Sequence, residues 1–505
     1  MDLLINKIFI AEIFLVFAII YFINFNVYLL NIRLKRLVII DREILAQILF
    51  IFFFLIYLLY NLKIEGSLNG LLLVSKNEMV NLKILFICLC LFSFIVIWRN
   101  FVFQKIRFFE FFVFYLSAIL SLLLLINTFD LIAAYVVLEL QSLCFALIAS
   151  LNRRSILSSE AGMRYFISSS IMSSVFLLGC SGLYACLGTL NINNIFLLLS
   201  INIVPQITYL NVYLSISLFL ITSVLLFKLV LAPFYFWFPS IYEGSPLSST
   251  IIFMLIPKLI LLFFLMRWIA FVLVFWPGFD ILFLSVGLLS VFVGVGISLY
   301  QKRIKKLYIY SSIGQLGIIC SVLFLDSLDA LVYAFFFIII YLITSLILWH
   351  IYTFLNYSYN LSKKTETSFK ISYQPLFLTH ISGVFSSHKM WALFSCITFF
   401  SLSGLPLFGG FLAKMFIYYF FLVGNYFWII CFLMLLSCFS TFYYLRVLKI
   451  LFVDNNSKII FSLFQYSFFE IDCLIFSFLV SLIVLSFFLP SVIIFYSYQT
   501  ILGIV

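Results

Sequence analysis

The chain has 505 residues, 66% of them hydrophobic and 9% charged, with a formal net charge of +11 and a mean hydropathy of +1.27. No soluble domain of that length hides so much apolar surface. Most of the 29 Lys and Arg fall in short stretches between apolar runs, and they form no basic stripe with interleaved aromatics, which argues against a nucleic-acid partner.

Apolar runs of roughly 20 residues recur from end to end, so the fold class is an all-α polytopic membrane protein. Barrel strands would alternate polar and apolar residues at every second position, and these runs do not. In chain order about 14 transmembrane helices are predicted, at roughly 8–30, 43–61, 80–98, 108–127, 129–149, 162–187, 212–237, 247–271, 279–300, 307–325, 328–356, 390–422, 425–448 and 471–497. The first of these is too long for the apolar core of a signal peptide. Residues 1–30, with Asp2, Lys7 and Glu12, lack an Arg-rich amphipathic pattern, so direct insertion of an organelle-encoded or bacterial protein is the simplest account. The 67 Phe residues fit codon bias in an AT-rich organelle genome as much as they fit packing.

Loop charge tests the count. Loops after odd-numbered spans carry Arg33, Lys35, Arg36 and Arg42; Arg99, Lys105 and Arg107; Arg153, Arg154 and Arg164; Lys302, Arg303, Lys305 and Lys306; Lys363, Lys364, Lys370 and Lys389; and Arg446, Lys449 and Lys458. The other side has only Lys7, Lys63, Lys76, Lys83 and Arg267. Basic loops stay on the matrix or cytoplasmic face, which puts both termini outside.

Two spans carry internal breaks. The seventh contains Pro233 in Lys228-Leu-Val-Leu-Ala-Pro-Phe-Tyr-Phe-Trp237, and the twelfth contains Gly404-Leu-Pro-Leu-Phe-Gly-Gly-Phe-Leu-Ala-Lys414. Proline removes an amide donor, glycine lets the backbone leave helical geometry, and unwound backbone at that depth must be packed in protein or line a polar cavity. The breaks lie five spans apart, which suggests two inverted five-helix repeats. The predicted organisation is a three-helix segment (1–107), a first repeat (108–271), a second repeat (279–451) and a C-terminal helix (452–505).

Four charges interrupt the apolar runs: Glu139, Lys228, Lys258 and Lys414. Charge at bilayer depth costs several kcal/mol, about 2.5–3.5 on lenient scales, and is kept where a cavity, partner or water path offsets it. Glu139 is central in its span, with Gln141 and Ser142 as candidate hydrogen-bonding neighbours. Lys258 follows Pro257 mid-span; Lys228 precedes one break, where it also has a snorkelling alternative, and Lys414 follows the other. Burial disfavours a charged form and an opposite charge restores it, so a group balanced between the two exchanges a proton as its partner moves.

Weaker signals accompany these. Glu160 and Arg164, one turn apart, fit a structural i,i+4 pair. Tyr310, Ser311, Ser312 and Gln315 would serve a water chain or helix packing equally well. His350, near the basic-side end of its span, is either a proton inlet or incidental, and His380 and His388 receive no role. The ten Cys are scattered, and Cys88 and Cys90 point to different faces of one helix. With no CxxC or Cys/His cluster, they read as structural thiols and not as ligands of zinc, haem or iron–sulfur clusters.

Several stretches together closely resemble the antiporter-like subunits of respiratory complex I. They are Glu139 in its span; Ser159-Glu-Ala-Gly-Met-Arg-Tyr-Phe166; Phe227 to Trp237; Tyr242-Glu-Gly-Ser-Pro246; Pro257-Lys258; Leu307 to Gly317; and Ser401-Leu-Ser-Gly-Leu-Pro406 running on to Lys414. The resemblance implies a Glu139–Lys228 coupling pair, Lys258 as central proton carrier and Lys414 as carrier toward the outer side, with Tyr235, Ser311, Ser312, Gln315 and His350 as secondary relay candidates. The family often has His at the positions of Tyr235 and Gln315, and Lys where this chain has Arg164. It also implies a non-redox, proton-pumping subunit of an NADH:ubiquinone reductase in the mitochondrial inner membrane. That subunit would be an obligate hetero-oligomer with other membrane-arm subunits and lipids. No cofactor is expected in this subunit, and NADH, FMN, iron–sulfur clusters and quinone belong to its partners; no GxGxxG follows a strand here. Alternatives are a subunit of a multi-subunit cation/proton antiporter, a plastid NAD(P)H–plastoquinone counterpart, and a scaffold whose charges are only ion pairs.

Overall fold

A backbone in hydrocarbon must satisfy its own hydrogen bonds, and the computed structural model is helical almost throughout. It describes residues 9–31, 37–61, 66–68, 73–75, 77–104, 108–152, 155–200, 208–272, 278–325, 327–366, 376–382, 389–453 and 469–503. Asp2, Lys7, Arg33, Lys35, Arg36, Lys63, Lys76, Lys105, Arg107, Arg153, Arg154, Lys370, His388 and Lys458 lie outside the described residues.

The elements are α1 (Ile10–Asn31), α2 (Leu37–Asn61), a hairpin of β1 (Gly66–Leu68) and β2 (Leu73–Ser75), α3 (Asn77–Gln104), α4 (Phe108–Asn127), α5 (Leu131–Ala149), α6 (Ile156–Leu187), α7 (Ile192–Ser200), α8 (Thr208–Lys228), α9 (Trp237–Gly244) and α10 (Leu247–Val272). They continue with α11 (Gly278–Tyr300), α12 (Ile304–Val322), α13 (Leu328–Glu366), a 3-10 turn (Leu378–Ile381), α14 (Lys389–Ser403), α15 (Gly409–Val423), α16 (Phe427–Phe452), α17 (Phe469–Phe488) and α18 (Pro490–Leu502). The hairpin is antiparallel, with Ser67 opposite Val74. Among the described residues nine helices are long and apolar enough to cross a membrane, so the chain is a multi-pass membrane protein.

The chain falls into two compact units. The first holds Met1–Leu229, Ser240–Phe279 and Gln499–Val505, and the second holds Val230–Pro239 and Asp280–Tyr498. In the first, α10 is apolar apart from Lys258, Arg267 and a polar first turn, is buried along residues 247–269, and packs on α3, α4 and α5. Asp130 caps α5 by accepting from the Ile132 amide at 2.9 Å, and Gly188 closes α6 in the left-handed region (φ 70°), its amide reaching the Tyr184 carbonyl at 2.8 Å. In the second, the long α13 is central and packs on α12, α14, α15 and α17.

Both expected breaks are present. Helix stops at Lys228 and resumes at Trp237, and stops again at Ser403 and resumes at Gly409. Three features depart from the sequence expectation. The final span does not run straight, because α17 and α18 meet at 90° where Pro490 has no amide to continue the ladder. Helix α7 and the hairpin occupy stretches expected as loops, and α13 runs ten residues past its predicted end.

Candidate functional site

In the first unit Glu139 is half-buried on α5. Ser142 Oγ approaches its Oε2 at 3.5 Å and Ser173 Oγ of α6 approaches Oε1 at 3.5 Å. Gln141, the other expected neighbour, is buried and makes no hydrogen bond to Glu139, because two residues turn a helix through about 200°. Lys228, the last residue of α8, donates Nζ to the Leu138 carbonyl at 3.1 Å. It therefore reaches α5 one residue ahead of the carboxylate, whose charge acts on it without a direct salt bridge. After Lys228 the backbone unwinds, with Val230 held at φ 65°, a conformation a β-branched residue rarely takes.

Lys258 is 3% exposed on α10, with Nζ 3.6 Å from Met254 Sδ. Pro257 beside it offers no amide to the Phe253 carbonyl. The Phe253 ring packs on Phe145 of α5 (4.8 Å), stacks on Tyr165 of α6 (5.9 Å) and meets Tyr242 of α9 edge-on (5.5 Å). These rings tie the Lys258 helix to the Glu139 helix within the unit. Sequence reading gave Tyr165 and Ser173 no role; their signal was a position on the α6 face turned toward α5.

In the second unit Lys414 is 6% exposed on α15 and donates to the Leu402 and Ser403 carbonyls at 2.8 and 2.9 Å. These carbonyls close α14, where a helix leaves acceptors unpaired and carries partial negative charge. Gly404 turns the chain at φ 84°, and a Cβ there would lie 2.9 Å from Lys414 Cδ. Gly410 lets α15 approach so closely that a Cβ would fall 1.9 Å from the Ser401 carbonyl oxygen.

Gln315 of α12 also donates to Leu402 O, at 3.4 Å. It lines two cavities of about 10 Å³ each, roughly the room one water needs. The first adds Tyr341, Thr344, Ser401 and Lys414, and the second Ser311, Ser437, Ser440 and Tyr443. Ser312 is hydrogen-bonded to Tyr341. Of the secondary candidates, Gln315, Ser311 and Ser312 thus gather around these cavities. Tyr235 is half-buried in the unwound stretch and stacks on Phe236 at 4.3 Å. His350 is 1% exposed, stacked on Phe476 at 4.1 Å and edge-on to Trp391 at 5.8 Å. His380 Nδ1 accepts the Phe377 amide at 3.2 Å, and the Glu160–Arg164 pair is exposed at 3.5 Å.

Two charges counted with the outer-side loops are buried within the protein. Lys83 pairs with Glu12 at 2.5 Å, and Asn127 donates to the same Glu12 oxygen at 3.1 Å. Arg267 is 2% exposed, with its guanidinium over Phe129. Each is stabilised by an acceptor far along the chain. Among the described residues no group of three or more His, Cys, Asp or Glu is placed to hold a metal.

Broken membrane helices whose lysines turn onto their own and neighbouring carbonyls define the class: a multi-pass membrane protein with buried ionisable groups along its interior. The chain belongs to the NADH:quinone oxidoreductase/Mrp antiporter membrane family, whose model matches residues 128–440. It is 30% identical over 358 residues to NADH-quinone oxidoreductase subunit N of Pelagibacter ubique, covering 70% of this chain and 71% of that one. It is also 30% identical over 356 residues to NADH-ubiquinone oxidoreductase chain 2 of Marchantia polymorpha, covering 70% and 69%. The fold is shared with a chain of respiratory complex I from Thermus thermophilus (TM-score 0.73, 20% identity, 96% and 98% covered). It is shared as well with a chain of the Mrp complex from Dietzia (TM-score 0.74, 14% identity, 97% of each).

Proposed function

We propose that this chain is a core, non-redox membrane subunit of a proton-pumping NADH:quinone oxidoreductase, translocating protons through Glu139, Lys228, Lys258 and Lys414. The observation that carries the reading is how the lysines are held. Lys228, itself at a helix break, donates to the mid-helix Leu138 carbonyl, and Lys414 to the Leu402 and Ser403 carbonyls that end α14; neither donates to a carboxylate, so either can release a proton without separating an ion pair. Glu139 stands one residue from the Lys228 acceptor, and a shift in the carboxylate alters the field at that ammonium. Redox energy delivered by neighbouring subunits would act there; Lys258 then serves as the carrier within the first unit, and Lys414, with the Gln315 cavities, as the carrier toward the outer side. NADH, FMN, iron–sulfur clusters and quinone would reside in the partner subunits of this obligate hetero-oligomer, and the relatives from mitochondria support an inner-membrane location.

The proposed architecture is 14 spans with two inverted five-helix repeats, α4–α10 and α11–α16. A duplicated device supports the repeats. Just after α4, Leu131 N donates to Leu190 O (3.2 Å) and Ile192 N to Phe129 O (2.9 Å). Just after α11, Ile304 N donates to Leu376 O (3.2 Å) and Leu378 N to Lys302 O (3.0 Å). Each bridge joins the start of the second helix of a repeat to the segment after its third long helix.

The test is proton pumping by the assembled complex of a tractable homologue bearing Glu139→Gln or Lys258→Met. Pumping is suppressed with assembly intact; normal pumping would refute the assignment. A multi-subunit cation/proton antiporter is the second reading, favoured by the fold shared with the Mrp complex. Co-purified flavin and iron–sulfur subunits decide for the first, and a small all-membrane assembly decides for the second.

A further inference from the structure

Two arginines outside the relay hold matching places in the two units. Arg267 of α10 donates Nη2 to the Ile126 carbonyl at 2.9 Å and Nη1 to the Thr128 carbonyl at 2.8 Å. Arg446 of α16 donates Nη1 to Leu299 O at 2.8 Å and Nη2 to Gln301 O at 3.1 Å. Because α4 ends at Asn127 and α11 at Tyr300, each fork takes the carbonyls one residue before and one after the last helical residue. Such carbonyls have no intrahelical donor, and the helix end favours a cation. A planar guanidinium reaches the two acceptors from two separate nitrogens in a fixed fork, whereas a lysine at the same place would have to reach both from one nitrogen. Arg267 is further fixed by the faces of Phe129 (4.5 Å) and Phe263 (5.0 Å).

The next helix starts a few residues beyond each clamp and inherits its height from it. Glu139 is the ninth residue of α5; Ser312 is the ninth of α12, and Gln315 follows one turn later. At 1.5 Å per residue both ninth residues sit about 12 Å in from a clamped start.

We propose that Arg267 and Arg446 are paired positioning residues: each fastens the C-terminus of the first helix of its repeat to the last helix and so sets the depth at which the second helix presents its relay groups. The inference rests on the relay proposed above. It is tested in the assembled, vesicle-reconstituted complex of a homologue carrying Arg446→Lys, Arg446→Gln and Arg267→Lys, with Lys258→Met as a reference. The readouts are quinone reduction, protons moved per electron, and the pH profile of that ratio.

The Lys variants are expected to assemble and reduce quinone while the proton ratio falls by about half or more, because an ångström of misplacement is felt steeply, and the Gln variant behaves like Lys. A wild-type ratio in the Lys variants would show that charge alone suffices and overturn the proposal. So would variants that change only the amount of complex, or failure of both Arg446 variants to assemble. If Lys258→Met also pumps normally, the relay reading has failed; if it abolishes pumping while the arginine variants pump normally, only the clamp has.

Discussion

Replacing Gly404 by alanine probes how Lys414 is held. The backbone there is left-handed (φ 84°), which costs an L-residue about 1–2 kcal/mol. The added methyl would also sit 2.9 Å from Lys414 Cδ and 3.3 Å from Nζ. The lysine stem must then shift, and losing one of its bonds to Leu402 or Ser403 costs about 1.5–3 kcal/mol. Together, Gly404→Ala is expected to destabilise by about 2.5–5 kcal/mol and to move the ammonium off the α14 terminus. Gly296 of α11 is the control, since a Cβ there meets nothing within 4 Å and alanine in a helix is neutral or favourable. The assay is thermal inactivation and protons per electron of the assembled complex, measured for both variants. Gly404→Ala loses on both counts and Gly296→Ala on neither. Wild-type pumping and thermal stability from Gly404→Ala would mean that the lysine does not depend on this turn, and the geometric argument would fall.

Two further outcomes are expected. Lys83→Met strands the buried Glu12 carboxylate and costs about 3–5 kcal/mol, while the double change Glu12→Leu with Lys83→Met recovers most of the loss. A double-mutant cycle on thermal stability reads the coupling, and a value near zero would contradict the buried pair. His350→Phe keeps its stack on Phe476 and its contact with Trp391, so pumping should persist at the wild-type proton ratio; its loss would give the imidazole an active part in the relay.

Much of the site was legible because burying charge in hydrocarbon is costly enough to make each case conspicuous. Glu139, Lys258 and Lys414 stand out of apolar runs, and Pro233 and Gly404 mark the breaks beside Lys228 and Lys414. Lys83 and Arg267 were read as loop charges for the converse reason, and their burial was missed: a charge near the end of a span looks like loop charge until its partner is known. Those partners, Glu12 and the Thr128 carbonyl, lie 71 and 139 residues away, and no local pattern announces them. The Gln141 expectation failed on simple helical geometry, while Ser142, nearly one turn from Glu139, did approach its carboxylate.

By itself the sequence determined that the chain crosses a membrane many times as helices, where two of those helices must break, and that Glu139, Lys228, Lys258 and Lys414 interrupt its apolar runs. These follow from hydropathy and from backbone chemistry local to each run. Only the tertiary structure decided what each charge touches: Lys228 on the Leu138 carbonyl, Gln315 and Lys414 sharing Leu402, and two arginines each closing a distant helix end. Backbone carbonyls are the same at every residue, so no side-chain pattern marks which of them will accept a proton donor. Packing alone makes that choice.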